Sequence, residues 1–196
     1  MPHRSSLRVL HVGAVLAVLL SADGANAVSV SVGNDFSCAI LNDGKLKCWG
    51  NNVNGYLGIG LSGGSTGIQN PIEVDLGSGR TAKSVSVGKN FACAILDDDT
   101  LKCWGDNSYG QLGVGDRTDR YAPVGPVNLG SGRTAKAVVC ADVNTCAVMD
   151  DDNIKCWGIL QYSGYWSYCA GCSSSGTIET PRSDAIDLGT GRTAKV

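Results

Sequence analysis

Cys38-Ala-Ile-Leu-Asn-Asp-Gly-Lys-Leu-Lys-Cys48-Trp49-Gly50 opens a pattern that this chain uses three times. The second copy runs from Cys93 to Gly105 and the third from Cys146 to Gly158. In each, the cysteines lie ten positions apart and the second is followed by Trp-Gly. The spacing predicts a disulfide-closed β-hairpin. Pairing Cys38 with Cys48 across an antiparallel ladder sets Ala39 opposite Lys47, Ile40 opposite Leu46 and Leu41 opposite Lys45. Asn42, Asp43 and Gly44 are left for the loop. A three-residue loop favours a type I turn followed by a left-handed residue, and Gly44 stands at that place. The other loops are Asp97-Asp98-Asp99 and Asp150-Asp151-Asp152, and Asp is among the few residues that tolerate the left-handed region. The cysteines fall directly opposite each other, within bridging reach. Each bridge closes a short loop and stabilises by roughly 2–3 kcal/mol on the chain-entropy account. Alternation puts Cys38, Ile40, Leu46 and Cys48 on one face and Ala39, Leu41, Lys45 and Lys47 on the other.

A second marker ends each unit: Leu76-Gly-Ser-Gly-Arg-Thr-Ala-Lys83, then Leu129–Lys136 and Leu188–Lys195. Trp49 and Trp104 are 55 residues apart, and Trp104 and Trp157 are 53. The chain therefore divides into a leader, 1–27, and three units, 28–83, 84–136 and 137–196. The third is degenerate and holds a loop rich in cysteine and aromatic residues, 159–176. Within a unit the pattern is all strand. Ser84–Gly88 alternates, the hairpin follows, and a last extended run comes at Ile72–Leu76 or Pro126–Leu129. No stretch sustains a helical apolar period without Gly, Pro or an Asp cluster breaking it. Four short strands per roughly 50 residues is the arithmetic of a propeller blade.

The first 27 residues have the form of a secretory signal. Arg4 and Arg8 give a basic start, Val9–Leu20 an apolar run too short to span a bilayer comfortably, and Ala25-Asn26-Ala27 a small-residue cleavage site. Removing it takes both histidines, His3 and His11. It also takes Arg4, Arg8 and Asp23, so the net charge moves from −2 to −3. All nine cysteines remain, as suits an oxidising compartment. Mild acidity offers no footprint for nucleic acid, and no membrane segment is expected after cleavage.

The unit Val-Ser-Val-Gly88…Cys93-Ala-Ile-Leu, then Leu101-Lys-Cys-Trp-Gly105-Asp-Asn-x-x-Gly110-Gln-Leu-Gly113, closely resembles the regulator of chromosome condensation repeat. The Gly-Gln-Leu-Gly tail is that family's most specific local signature. It is intact at Gly110–Gly113, altered at Gly55-Tyr56-Leu57-Gly58 and lost at Gly164-Tyr165-Trp166-Ser167. The resemblance covers essentially the whole chain after the leader and implies a propeller with a binding surface, usually of seven blades. Family members include exchange factors for a small GTPase, ubiquitin-ligase accessory domains, a plant ultraviolet receptor and a bacterial β-lactamase inhibitor. Function does not pass with the fold. The cysteine hairpins resemble the secreted branch of the family more than the nuclear one.

Several recurrent residues are candidates for chemistry. Trp49, Trp104 and Trp157 recur in register, as aromatic packing between blades would require. The Asp clusters fit no known calcium spacing and read as solvated turns. Lys47, Lys102 and Lys155 are expected to cover apolar surface while their ammonium groups reach water or a rim carboxylate. Arg80, Arg133 and Arg192 stand in Gly-x-Gly-Arg-Thr connectors without the following helix that a phosphate cradle needs. Cys169-Ala-Gly-Cys172 reads as a structural bridge, since no helix lowers its thiol pKa. Cys140 then remains as the unpaired, buried thiol. Tyr162, Tyr165, Trp166 and Tyr168 crowd into one loop; such aromatics beside Gly and Ser suit protein or glycan contacts, or equally a self-packed loop pinned by Cys169 and Cys172.

Without histidine the mature chain lacks the usual imidazole base and commonest metal ligand, and no cofactor is expected. The expectation is an all-β, incomplete β-propeller of three blades forming an open arc, acting as a secreted, non-catalytic binding module. Two alternatives stand beside it. One is a GTPase-exchange or ubiquitin-ligase-like regulatory propeller fragment, by family analogy. The other is a glycosidase that needs only two carboxylates. Neither end of the repeat array resembles a cap, so the chain is expected to be part of a longer propeller or to self-associate through its terminal blades.

Overall fold

The bridged hairpin sets the register of everything around it. In the computed structural model, which describes residues 27–61, 67–159 and 177–181, the strands run β1 Ala27–Val32, β2 Phe36–Leu41, β3 Leu46–Gly50, β4 Ile68–Glu73, β5 Ala82–Val87, β6 Phe91–Leu96, β7 Leu101–Gly105, β8 Ala135–Cys140, β9 Asn144–Met149, β10 Ile154–Ile159 and β11 Thr177–Ile178. In β2–β3, Cys38 lies opposite Cys48, Ala39 opposite Lys47 and Ile40 opposite Leu46. The β6–β7 and β9–β10 hairpins repeat that register. All three disulfides are formed, Cys38–Cys48, Cys93–Cys103 and Cys146–Cys156, each joining Cα atoms 4.1 Å apart. The third loop residue is left-handed in every copy, Gly44 at φ 79°, Asp99 and Asp152 at φ 63°. Asp43, Asp98 and Asp151 accept from the main-chain N–H two residues on, which tightens the turn.

The inner strands β1, β5 and β8 pair antiparallel with the hairpins, each with a bulge near its start. The outer strand varies. β4 pairs with β3 and β11 with β10, while the middle sheet has only β5, β6 and β7. The expected outer strand at Pro126–Leu129 is therefore not a ladder. The chain there makes one bridge, Gly105 with Arg120, and one bond from the Val127 N–H to the Leu101 carbonyl. Pro123 and Pro126 carry no N–H to donate. In the first unit the outer strand lies earlier than the expected Ile72–Leu76. After Val74, whose N–H reaches the Leu46 carbonyl, the chain leaves the sheet.

The sheets stack face to face in chain order, first on second and second on third. One core lies in each joint. Phe36, Cys38, Ile40, Leu46 and Cys48 of the first sheet meet Val85, Val87, Ala92, Ala94 and Trp104 of the second. Phe91, Cys93, Ile95, Leu101 and Cys103 of the second meet Val138, Ala147, Met149 and Trp157 of the third. Each disulfide of the first two units thus faces the following blade. The middle strand β6 is buried along its whole length because it is covered on both faces. Each large apolar side chain closed into a joint contributes about 1.5–3 kcal/mol. The result is an all-β arc of three propeller blades.

Candidate functional site: blade joints and the tip rim

The recurrent tryptophans and serines serve blade joints, and the tip aspartates serve a rim. The Trp104 indole Nε1 donates to the Tyr56 carbonyl of the preceding blade at 3.1 Å, and Trp157 Nε1 donates to the Gln111 carbonyl at 2.9 Å. Both rings are fully buried. The glycine that ends each Gly-x-Leu-Gly turn forms the floor under the next ring. A Cβ at Gly58 would stand 2.6 Å from Trp104, and one at Gly113 would stand 2.5 Å from Trp157. Both glycines are also left-handed, at φ 71° and 72°. The family signature is therefore a seat for the tryptophan of the following repeat. Asn52 and Asn107, both buried, shape that seat from inside. The Asn107 side-chain oxygen accepts from the Leu112 N–H, and its Nδ2 donates to the Asp116 carbonyl. Asn52 does the same for Leu57 and Leu61.

Two of the three recurrent lysines, Lys102 and Lys155, find main-chain carbonyls rather than rim carboxylates. Lys102 Nζ donates to the Leu76 main-chain carbonyl and Lys155 Nζ to the Leu129 carbonyl, at 3.0 and 2.8 Å. Each ammonium satisfies a main-chain acceptor in the connector that leads into its own blade. Ser31 and Ser86 were not singled out in the sequence, although they recur in register. The Ser31 hydroxyl accepts from the Val87 N–H and the Ser86 hydroxyl from the Cys140 N–H, both at 2.9 Å and both across a joint.

At the rim, the Asp clusters are ion-paired. Arg80 spans Asp97 and Asp98 while Lys83 reaches Asp99; Arg133 spans Asp150 and Asp151 while Lys136 reaches Asp152. These groups are largely exposed, so each pair adds little stability. The connector arginines thus neutralise the tips of their own blades. The Thr100 hydroxyl and main-chain N–H, with Arg80 nearby, hold the Asp98 carboxyl below the usual range. Arg120 does the same for Asp116. Among the described residues no group of three or more His, Cys, Asp or Glu is placed to hold a metal ion.

Among the described residues Cys140 is the free cysteine, and it packs against the second core. The residue is half-buried, and desolvation pushes its thiol up to about 12 despite hydrogen bonds with Ser86 and Thr145. A thiol held neutral in this way is a poor nucleophile. Cys169, Cys172, Tyr162, Tyr165, Trp166 and Tyr168 lie outside the described residues, as do Arg192 and the leader up to Asn26.

Stacked antiparallel units of three or four strands with a tryptophan seat define a class, the β-propellers built from glycine-punctuated repeats. The chain belongs to the regulator of chromosome condensation repeat family. Models described as "Regulator of chromosome condensation (RCC1) repeat" match residues 27–55 and 82–111, and residues 98–148. The chain is 30% identical over 139 residues to the ultraviolet-B receptor UVR8 of Arabidopsis thaliana, covering 71% of this chain and 31% of that protein. It is 29% identical over 146 residues to protein pim1 of Schizosaccharomyces pombe, covering 68% and 27%. The fold is similar to that of Prp20p from Saccharomyces cerevisiae, with TM-score 0.67, 17% identity, and 82% of this chain on 38% of that one. It is similar also to human WBSCR16, with TM-score 0.68, 18% identity, and 86% on 39%. The chain thus spans about a third of the length of these curated relatives.

Proposed function

We propose that this chain is a secreted, non-catalytic protein-binding module. The observation that carries the reading is the disulfide in every blade. Three oxidised hairpins on one small fold suit a compartment outside the cytosol, and the leader pattern at 1–27 is the address that would take it there. Binding rather than catalysis is supported by where the polar residues go. The recurrent Trp, Lys, Ser and Asn of the second blade serve joints or turns, and the rim carboxylates are tied to Arg and Lys. A propeller of this kind can serve as a protein platform, since the structure of yeast Prp20p was described together with its binding to Gsp1p and histones. The aromatic loop Tyr162, Tyr165, Trp166 and Tyr168 is the proposed contact surface.

The test begins with the tagged full chain expressed in a secreting cell. It is expected in the medium, lacking residues 1–27 and with all three hairpin bridges intact. The mature chain is then used to capture extracellular proteins, alongside a glycan array and a glycosidase substrate panel. A protein partner whose binding falls on Trp166→Ala supports the reading. Retention inside the cell, turnover of a glycoside, or binding to glycans alone overturns it.

A further inference from the structure

The first joint carries a polar constellation that the second lacks. Tyr56 stands where the family signature has glutamine, which the second blade keeps as Gln111. The Tyr56 carbonyl seats the Trp104 indole, and its ring stacks on Phe36 with centroids 6.0 Å apart. The residue is only 6% exposed, yet among the described residues its hydroxyl makes no hydrogen bond. Three carboxylates from three chain segments lie about that hydroxyl. Asp35 immediately precedes Phe36, on which the tyrosine ring rests. Asp106 follows Trp104 and Gly105, and the Trp104 indole holds the Tyr56 carbonyl. Asp119 belongs to the loop that lays Tyr121 against the first blade. There a Cβ at Gly55 would stand 2.5 Å from the Tyr121 ring, and the Gly60 N–H donates to the Tyr121 carbonyl at 2.7 Å. Burial first, then Asp106, Asp119 and Asp35, push the Tyr56 hydroxyl above its ordinary value, so all three charges are felt at that atom.

These carboxylates differ from the others on the molecule. Asp116 is paired with Arg120, and the tip aspartates are paired with Arg80, Lys83, Arg133 and Lys136. Among the described residues Asp35, Asp106 and Asp119 have no ion pair. Asp106 and Asp119 accept from the main-chain N–H groups of Ser108 and Asn107, which fixes their positions and leaves their charge. A demand of blade packing would recur with the repeat, and this group does not. At the second joint Gln111, Asn90 and Ile159 stand in the places of Tyr56, Asp35 and Asp106. Among the described residues no three such groups are near enough to share a metal ion. The cation that suits them is therefore a broad one with several donors. A guanidinium is planar, always charged and carries donors for separate acceptors. It also stacks on aromatic faces, and Tyr121 beside the site is 42% exposed.

We infer that the Tyr56 hydroxyl, with Asp35, Asp106 and Asp119, is a seat for an arginine side chain of a protein partner, and that the exposed Tyr121 and Leu61 receive the apolar residues flanking that arginine. Asp35, beside the start of β2, and Asp106, beside the end of β7, put the seat at the strand ends opposite the hairpin tips. It uses loops of two blades. It stands apart from the aromatic loop and does not rest on secretion, so it goes beyond the function proposed above.

Peptide titration of the full chain tests this. The probes are acetyl-Gly-Leu-Arg-Leu-Gly-amide, the same peptide with citrulline for arginine, and N-acetylarginine amide. Citrulline keeps the shape and removes the charge. NMR of the isotope-labelled chain is expected to show the arginine pentapeptide binding roughly tenfold more tightly than either of the others, with shifts centred on the amides of Gly55, Asp106 and Tyr121. Tyr56→Phe keeps the stacked ring and removes the hydroxyl, and Asp35→Asn and Asp106→Asn keep size and lose charge. Each is expected to weaken the peptide by about threefold or more, while Asp43→Asn, at a hairpin tip, leaves it unchanged. The proposal is overturned if the citrulline peptide binds as tightly, if Tyr56→Phe and Asp35→Asn leave the affinity unchanged, or if no peptide binds at millimolar concentration. Any of these would strike this seat alone, because partner capture with Trp166→Ala measures the aromatic-loop reading separately.

Discussion

Trp104 and Tyr56 are 48 residues apart in sequence and joined by a 3.1 Å hydrogen bond from indole to carbonyl. Neither residue belongs to the other's blade. The bond joins the signature turn of one repeat to the tryptophan of the next, so the two most recognisable features of the sequence form a single contact. Trp104→Ala is expected to cost about 3–5 kcal/mol, since it empties a buried aromatic site and orphans the carbonyl as well. Trp49→Ala, at a half-buried ring, is expected to cost less than half of that. Urea unfolding of the two variants checks the order, and equal losses would contradict it.

Gly113→Ala places a methyl group 2.5 Å from the Trp157 ring at a left-handed position. Gly132→Ala, also left-handed at φ 67°, meets nothing within 4 Å. The second change should cost only the backbone term, about 1–2 kcal/mol. The first should cost that and, in addition, the displacement of the indole from its seat, about 1–3 kcal/mol more. Thermal unfolding separates them, and red-shifted tryptophan emission should accompany Gly113→Ala alone as the ring gains water.

Cys140 predicts an alkaline limb to the stability curve. Its thiol is pushed from 9.0 up to about 12 by desolvation. The unfolded chain therefore loses this proton before the folded one does. The contribution is fully present below pH 9 and falls away as the pH climbs from 9 towards 12. Cys140→Val, the residue that Val32 and Val87 supply at this position, is expected to flatten that part of the curve. Iodoacetamide at pH 8 should label Cys140 of the native protein far more slowly than that of the unfolded protein.

Asp98 gives the opposite sign. Its carboxyl is held below 3.8, chiefly by the Thr100 hydroxyl. Its contribution is present above 3.8 and is lost as the pH falls through the lowered value. Thr100→Val is expected to move the Asp98 titration back up towards 3.8. Carboxyl-carbon NMR reads this directly, and an unchanged midpoint would assign the shift to the Thr100 main-chain N–H and Arg80 instead.

The hairpins were legible because all of their determinants are local. The cysteine spacing set the register, and the third loop residue, Gly44, Asp99 or Asp152, identified the turn. The blade faces followed from alternation alone, and the cores contain the residues that alternation assigns to them. The lysines were misread because their partners, Leu76 and Leu129, lie 26 residues upstream in a connector. Nothing near Lys102 in sequence announces a main-chain acceptor. The serine bonds were equally invisible as chemistry, although the recurrence of Ser31 and Ser86 was there to be seen. The missing outer strand of the second blade was signalled by Pro123 and Pro126, whose effect on a ladder outweighs the extended character of Val127–Leu129.

The tryptophan seat also imposes a timetable. A ribosome that has just delivered Tyr56 to Gly58 has delivered a turn with no ring above it, and the ring arrives 48 residues later. The turn at Gln111 waits 46 residues for Trp157. Each repeat therefore emerges unfinished and is completed by its successor, so assembly proceeds from the amino end with one exposed seat always travelling behind the growing tip. A chain stalled or cut between repeats would present that seat, with its bare carbonyl and glycine floor, as the mark of an incomplete product.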